Sequence, residues 1–251
     1  MSILYPIHKK QKRNFVTSAK QYSQCFMRGV KLPSRAVFSP FALLTKYVLS
    51  QGKYETKFLF NEIYIDETND FCFVPIPGMG APSLALSLEL AITLGVKKCI
   101  FLGTAGSLQE EVWATDRVIC QEALCGDGTS AHYTNHEIVR ADRKLLKSFS
   151  LTLQEEKQDF HIGRVWSTDA IFRETKAEIQ HYQKNAVLGV DMETAAFLAI
   201  CHQHKIQGVA GLVISDNLSE CCWEPSYCGK EIARKLKALF DAAHKTLLQE
   251  S

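Results

Sequence analysis

The stretch from Phe71 to Ser107, FCFVPIPGMGAPSLALSLELAITLGVKKCIFLGTAGS, restricts the folds open to this chain more than any other. Phe71 to Ile76 is short, aromatic and β-branched, and reads as a strand. Gly78-Met79-Gly80 interrupts it, and Pro82 falls where the first turn of a helix needs no amide hydrogen. Ser83 to Leu94 are good helix formers, apolar nearly all round, which predicts a deeply buried helix ended by Gly95. Cys99 to Leu102 is the next apolar run, and Gly103-Thr104-Ala105-Gly106 reads as a second glycine turn at its carboxyl end. This is a βαβ unit with glycine turns at the edge where open α/β sheets bind ligands. Backbone amides in such turns, close to a helix amino terminus, make a nest for an anion. The plain alternative for either turn alone is a bend in the chain; two in one unit favour a site.

Strands and helices alternate along the rest of the chain. Strands are expected at Arg35 to Phe38, Lys57 to Ile65 (paired with Phe71 to Ile76), Asp116 to Ala123, Asp159 to Trp166, Ala186 to Val190 and Gln207 to Ile214. Helices are expected near Phe41 to Gln51, Ala141 to Phe149, Glu174 to Gln183, Asp191 to His202 and Lys230 to Gln249. Residues 1 to 30 carry weak, mixed signals. The pattern predicts an α/β fold: a single three-layer αβα domain with a mixed central sheet over residues 35–251, preceded by a basic arm over 1–34.

Composition is ordinary for a globular chain of 251 residues, with 46% hydrophobic and 22% charged residues. The net charge of +2 hides an asymmetry: residues 1 to 54 hold ten Lys or Arg and no acid, leaving 19 basic against 27 acidic residues beyond. Such an arm suits nucleic acid, an acidic partner, a neighbouring subunit or a targeting role. No aromatic or glycine interleaving marks a nucleic-acid module, so a solvated face or subunit contact is the expectation. The nine cysteines form no CxxC pair and several sit in apolar runs, which points to reduced thiols in the cytoplasm and no metal site. No apolar run reaches membrane-spanning length.

Polar groups recur where strands end: Gly78–Ser83, Gly103–Ser107, Thr129/Ser130, Ser167–Asp169, Asp191/Glu193 and Ser215-Asp216. Singly, each has a plain reading. Glu193 suits a helix dipole, Asp216 a cap, and Trp166 the core. Jointly they resemble the nucleoside phosphorylase and nucleosidase superfamily, of the purine nucleoside phosphorylase and uridine phosphorylase type, over roughly residues 35 to 245. Pro77 to Ser83 resembles its GMG-x-PS turn and Gly103 to Gly106 its G-[ST]-x-G. Asp127 to Tyr133 is similar to DGTS-x-HY, Val190 to Ala196 to V-E-M-E-x-A-A, and Ser215-Asp216 to the S-D of the purine branch.

The resemblance implies cleavage of a nucleoside N-glycosidic bond in purine salvage or nucleoside catabolism. Asp216 would protonate N7 of a purine as the catalytic acid, with Lys230 as a loosely matched helper cation. Glu193 would bind the ribose hydroxyls and Met192 pack on the sugar, with Asp191 and Ser215 beside them. Trp166 would stack on the base. Gly78, Gly80 and Thr104 would hold inorganic phosphate as co-substrate, with no other cofactor and no metal. The implied partners are nucleoside and phosphate rather than nucleic acid or membrane, in a homo-oligomer, dimer or hexamer, to which His8 or His132 would lend a group.

Three departures bear on the reaction. Phe38 to Leu44 stands where the family carries G-D-P-x-R, without the glycine or the arginine. Phe101 stands where a second phosphate arginine precedes G-[ST]-x-G, so two guanidinium groups suited to a dianion are absent, with Arg35, Arg173 or a neighbouring subunit as substitutes. The Gln-x-Arg pair that clamps uracil is also missing around Arg173 to Ala177, which favours a purine. The leading expectation is a purine-type phosphorylase. A hydrolytic nucleosidase and a non-catalytic nucleoside binder are the alternatives.

Overall fold

The βαβ unit is present as strand, helix and strand, and the remaining elements build outward from it. A computed structural model describes residues 16–58, 61–226 and 228–249. In chain order the elements are α1 (Ala19–Phe26), β1 (Arg35–Ser39), α2 (Ala42–Gln51), β2 (Tyr54–Phe58), β3 (Glu62–Asp66), β4 (Cys72–Pro75), α3 (Ala81–Leu94), β5 (Lys98–Ser107), β6 (Arg117–Gly126) and β7 (Ile138–Arg140). Then follow α4 (Arg143–Glu155), β8 (His161–Thr168), α5 (Lys176–Lys184), β9 (Val187–Asp191), α6 (Thr194–His204), β10 (Gln207–Asn217), β11 (Glu224–Pro225) and α7 (Gly229–Gln249). The fold is α/β, with a large mixed sheet and helices around it.

The strands run β11-β10-β6-β8-β9-β5-β1-β4-β3-β2, with β7 on β6 and a further pairing of β10 with β5. That last pairing closes β10, β6, β8, β9 and β5 into a ring, while β1, β4, β3 and β2 extend from β5 as an open wing. β5 therefore pairs with β1 and β10 in parallel and touches β9 at its end, Gly106 opposite Val190. With neighbours on every edge it is buried nearly throughout, which is why its sequence reads as a continuous apolar run.

The second glycine turn does not exist. β5 continues through Gly103-Thr104-Ala105-Gly106 to Ser107, paired with β10 along its length. These glycines permit close packing rather than a bend. A Cβ on Gly103 would lie 3.0 Å from the Phe101 ring and 3.1 Å from Leu212. Other boundaries move for similar reasons of pairing: β6, β8 and β10 run beyond the expected ends, so Ser167, Ser215 and Asp216 sit inside strands. Lys57 to Ile65 is not one strand. β2 and β3 pair antiparallel as a hairpin whose residues 59–60 lie outside the described ones, and only β3 meets β4. The helix expected over Ala141 to Phe149 starts at Arg143, where the Asp142 carboxylate accepts the Leu145 N–H at 2.9 Å, and runs on to Glu155.

α1 was not anticipated. Its signal is a capping box, Ser18 with Gln21 three residues later. It packs on α3, so this part of the basic segment is docked on the domain; residues 1–15 of the expected arm, His8 among them, lie outside the described residues.

Two phenylalanines anchor the helices to the sheet. Phe197 of α6 meets Phe101 of β5 at 5.8 Å and Phe38 of β1 at 6.5 Å between ring centroids. Phe240 of α7 meets Phe73 of β4 at 5.9 Å edge-on, with Phe71 at 6.2 Å. Phe101 is thus core, fully buried among aromatic rings, where a guanidinium would lack a partner. Among the described residues no helix is long and apolar enough to cross a membrane.

Phe197→Ala removes the ring that joins α6 to β1 and β5. It is expected to lower the unfolding free energy by about 3–5 kcal/mol, measured by urea denaturation followed by circular dichroism. A loss under about 1 kcal/mol would show that α6 is held elsewhere.

Candidate active site

The carboxyl ends of β1, β5, β9 and β10 converge on one cavity of about 760 Å3. β10 brings its acid there through a bulge. Ile214 lies opposite Ala105 but Asp216 lies opposite Gly106, so Ser215 is an extra residue on β10. Bulges of this kind re-aim side chains beside active sites. The Ser215 hydroxyl donates to Asp216 Oδ1 at 2.6 Å, and Trp223 Nε1 donates to Oδ2 at 3.1 Å. Gly106 makes room beneath: a Cβ there would lie 2.4 Å from Leu218 Cδ1 and 3.1 Å from Asp216 Oδ2.

β9 ends in Asp191, which is fully committed to the protein. Its Oδ1 accepts from Ser167 Oγ at 2.5 Å. Its Oδ2 accepts from Thr194 N at 2.9 Å, Thr194 Oγ1 at 2.6 Å and Glu193 N at 3.2 Å. Ser167 Oγ in turn accepts from Ala195 N at 2.9 Å. These contacts satisfy the orphan amides at the start of α6, so Asp191 positions the next turn rather than presenting a free carboxylate. Burial pushes its pKa up, and the hydrogen bonds from Ser167 and Thr194 oppose the shift.

Glu193 stands at the amino terminus of α6 and is 6% exposed. The Gly80 N–H donates to its Oε1. Gly80 adopts φ +99, a conformation that excludes most other residues, to begin α3 and aim this amide. Burial first, and the Asp191 charge second, raise the Glu193 pKa to about 7. Glu174, half-buried in the cavity wall, is also raised to about 7, by burial first, then by the charges of Asp216 and Glu178.

Of the residues expected at a site, the structure brings Thr104, Asp191, Met192, Glu193, Ser215 and Asp216 to the cavity. Others are elsewhere. Trp166 is 3% exposed and stacks on Tyr182 at 4.3 Å in a separate apolar cluster, so it belongs to the core and not to a base-stacking wall. Gly78 is exposed and lies outside the cavity lining, and the Gly80 amide serves Glu193 instead of an anion. Ser130 and His132 lie in a short helical turn outside the lining, and Asp169 receives the Gly128 N–H at 2.7 Å there. Arg35 is at the amino end of β1, far along the strand from Ser39 and Pro40, with Asp70 at 3.9 Å. Lys230 and Arg173 are exposed and outside the lining.

Several cavity residues were not foreseen as site residues. Pro40 and Phe41, within the segment that stands for G-D-P-x-R, line it and bring apolar rather than cationic groups. Phe172, Glu174, Lys176 and Trp223 complete the wall. The first three follow β8, where the absent uracil clamp would stand; Trp223, in a cysteine-rich loop, carried no readable signal. The cavity size suits a small ligand, and its polar groups are few and convergent. Among the described residues Lys176 is the lone cation in the lining, against the carboxyls of Glu174, Asp191, Glu193 and Asp216. Nearby, Glu220, Cys222 and Glu224 bring possible ligand atoms within 4.8 Å of one another, all exposed.

The sheet, the helices and a cavity at the strand ends are those of a nucleoside phosphorylase fold. The model of the Phosphorylase superfamily matches residues 39–245, and the chain belongs to that superfamily. Purine nucleoside phosphorylases of the DeoD type are similar over part of the chain. The protein from Buchnera aphidicola is 30% identical over 144 residues, and that from Streptococcus pneumoniae (strain G54) is 32% identical over 154. Each match covers 56% of this chain and about three-fifths, 61%, of the relative. Among solved structures, uridine phosphorylase from Vibrio fischeri complexed with 6-hydroxy-1-naphthoic acid superposes with a TM-score of 0.78 at 19% identity, covering 87% of this chain and 93% of that one.

The raised pKa of Glu193 has a sign that can be measured. Between its ordinary value of 4.5 and about 7 the folded protein holds a proton that the unfolded chain has released. Excess protons on the folded state mean that stability falls as pH rises through this window and levels off above it. Glu193→Gln removes that dependence. Its melting temperature, relative to the unsubstituted protein, is expected to climb from pH 4.5 to 7 in parallel thermal scans; a constant or shrinking difference would refute the shift.

Proposed function

We propose that the protein cleaves the N-glycosidic bond of a purine nucleoside. The observation that supports this best is the placement of Asp216 and Glu193 on the wall of a single cavity, with Met192 and Thr104 beside them. Bond breaking leaves an oxocarbenium-like ribose and negative charge on the departing base. Asp216 protonates N7 of that base, a form of acid catalysis that contributes about 10²–10⁴-fold. Glu193, aimed by the Gly80 amide, accepts hydrogen bonds from the ribose hydroxyls and faces the developing positive charge. Asp191 holds Glu193 in place. The reaction needs no metal or organic cofactor.

Phosphate is the first reading of the nucleophile, supported by membership of the superfamily and by the names of the relatives. Thr104 binds it, and a neighbouring subunit of a homo-oligomer supplies the cations this chain lacks. Water is the second reading. It is favoured by the cavity itself, where four carboxyls face one lysine and the Gly80 amide is taken. A dianion held in such surroundings pays for like charge. Free thiols at all nine cysteines suit a reducing, cytoplasmic setting for either reaction.

Purine release from adenosine and inosine, followed by chromatography with and without inorganic phosphate, tests both. Phosphate-dependent release with formation of ribose 1-phosphate supports phosphorolysis. Release unchanged by phosphate replaces it with hydrolysis, and no release from any nucleoside leaves a nucleoside binder. Asp216→Asn is expected to lower kcat by about 10²–10⁴-fold while KM changes little. Turnover at the unsubstituted rate would remove Asp216 from the acid role.

A further inference from the structure

Asp216 takes its direction from one extra residue in β10. Ile214 lies opposite Ala105 and Asp216 opposite Gly106, with Ser215 between them and without a partner in that register. Residues two apart on an unbroken strand share a face. Without the extra residue Asp216 would therefore point with Ile214, which is fully buried in the core. With it, Asp216 reaches the cavity. A slip of one residue here turns the carboxyl from the cavity to the core, so something has to fix where the extra residue falls.

The other edge of β10 carries such a device. β6 begins at Arg117, opposite Val213, and the two residues before it carry the pairing one step further. The Thr115 N–H donates to Ile214 O at 2.8 Å, and the Ile214 N–H donates to Asp116 O at 2.9 Å. Two residues thus oppose one, the pattern of a β-bulge, whose left-handed residue is usually glycine. Here it is Thr115, at φ +79, the one β-branched residue among the described non-glycine residues of positive φ. Such a conformation persists only where its surroundings hold it. The Asp116 carboxylate supplies that hold. Its Oδ2 accepts from the Trp113 N–H at 3.0 Å, closing the turn around Thr115. His161 Nε2, at the start of β8, lies 3.1 Å from the same oxygen.

We infer that Thr115 and Asp116 are positioning residues: by clamping Ile214 from the β6 edge they lock the bulge at Ser215 and keep Asp216 turned toward the cavity. This deepens the cleavage reading and rests on it for the role of Asp216. Neither residue lines the cavity, so the effect passes through the backbone of β10. Its nearest reporter is Trp223, a cavity residue whose Nε1 donates to Asp216 Oδ2 at 3.1 Å. That bond requires the carboxyl to face the cavity, and it is lost when the bulge slips.

Two readouts on the full-length protein separate the clamp from the chemistry. The first is the indole N–H region of the nitrogen-edited NMR spectrum, where Trp223 is assigned with Trp223→Phe. In Asp116→Ala the Trp223 signal is expected to move toward its position in Asp216→Ala, where the acceptor is gone. The second is purine release. In Asp116→Ala kcat should fall about 10–10²-fold while KM changes less than about twofold, the mark of a misplaced group rather than a lost substrate contact. Asp116→Asn, whose side-chain oxygen still accepts from Trp113, should recover most of the rate. A Trp223 signal unmoved by Asp116→Ala would overturn the inference, as would an unchanged kcat. If Asp116→Ala does not fold, His161→Ala, which removes one partner of the same oxygen, decides by the same readouts. A moved signal in a protein that cleaves no nucleoside upholds the clamp and sinks the cleavage reading; cleavage with an unmoved signal does the reverse.

Discussion

The site depends on one buried carboxylate. Asp191 accepts hydrogen bonds from Ser167, Thr194 and the amides that open α6, and so ties β8, β9 and α6 at a single point. Hydrogen bonds to a charged group are worth about 1.5–3 kcal/mol each, set against a desolvation cost of several kcal/mol, so the charge is tolerated only because every partner is present. The consequence lies one turn on. With the helix start pinned, Glu193 projects into the cavity and meets the Gly80 amide arriving from β4 through a glycine-only conformation. Two segments more than a hundred residues apart thereby share one hydrogen bond.

That arrangement shapes the electrostatics. An anion nest uses backbone amides with cations close by, and at the turn before α3 the Gly80 amide is already engaged. Its key amide is spent on Glu193, and Lys176 is the lone cation in the lining among the described residues. Carboxyls crowd the same space, and burial holds Glu174 and Glu193 near neutrality, where acid–base chemistry is most efficient. The aromatic packing of Phe101 on Phe197 explains why no guanidinium returns from β5: that face of the strand is core.

Much of the fold was legible in local pattern. The apolar run of α3, the period of α7 and the alternation of strands with helices each followed from spacing alone, because those patterns reflect which face is buried. Legibility failed where pairing with distant strands overrode local chemistry. Gly103 to Gly106 resembles a turn in isolation, yet β10 and β9 extend it as a strand and use the missing side chains for closeness. Trp166 has the composition of a stacking residue, but its position on β8 opposite Leu124 points it into the core. Glu174 and Trp223 had no motif, since their role comes only from which wall they share.

The sequence by itself determined the family and the order of most of the elements, and it set Asp216 and Glu193 beside strand ends and helix starts, because these depend on motif chemistry and burial pattern. Only the tertiary structure decided what surrounds those acids. Ring closure between β5 and β10 sets Asp216 over Gly106, the Asp191 cap aims Glu193 at Gly80, and the turn after β8 sets Glu174 in the same cavity as Asp216. The physical reason is common to all three: a carboxyl's proton and direction are set by burial and by neighbouring charges, and those neighbours are assembled from strands far apart in the chain.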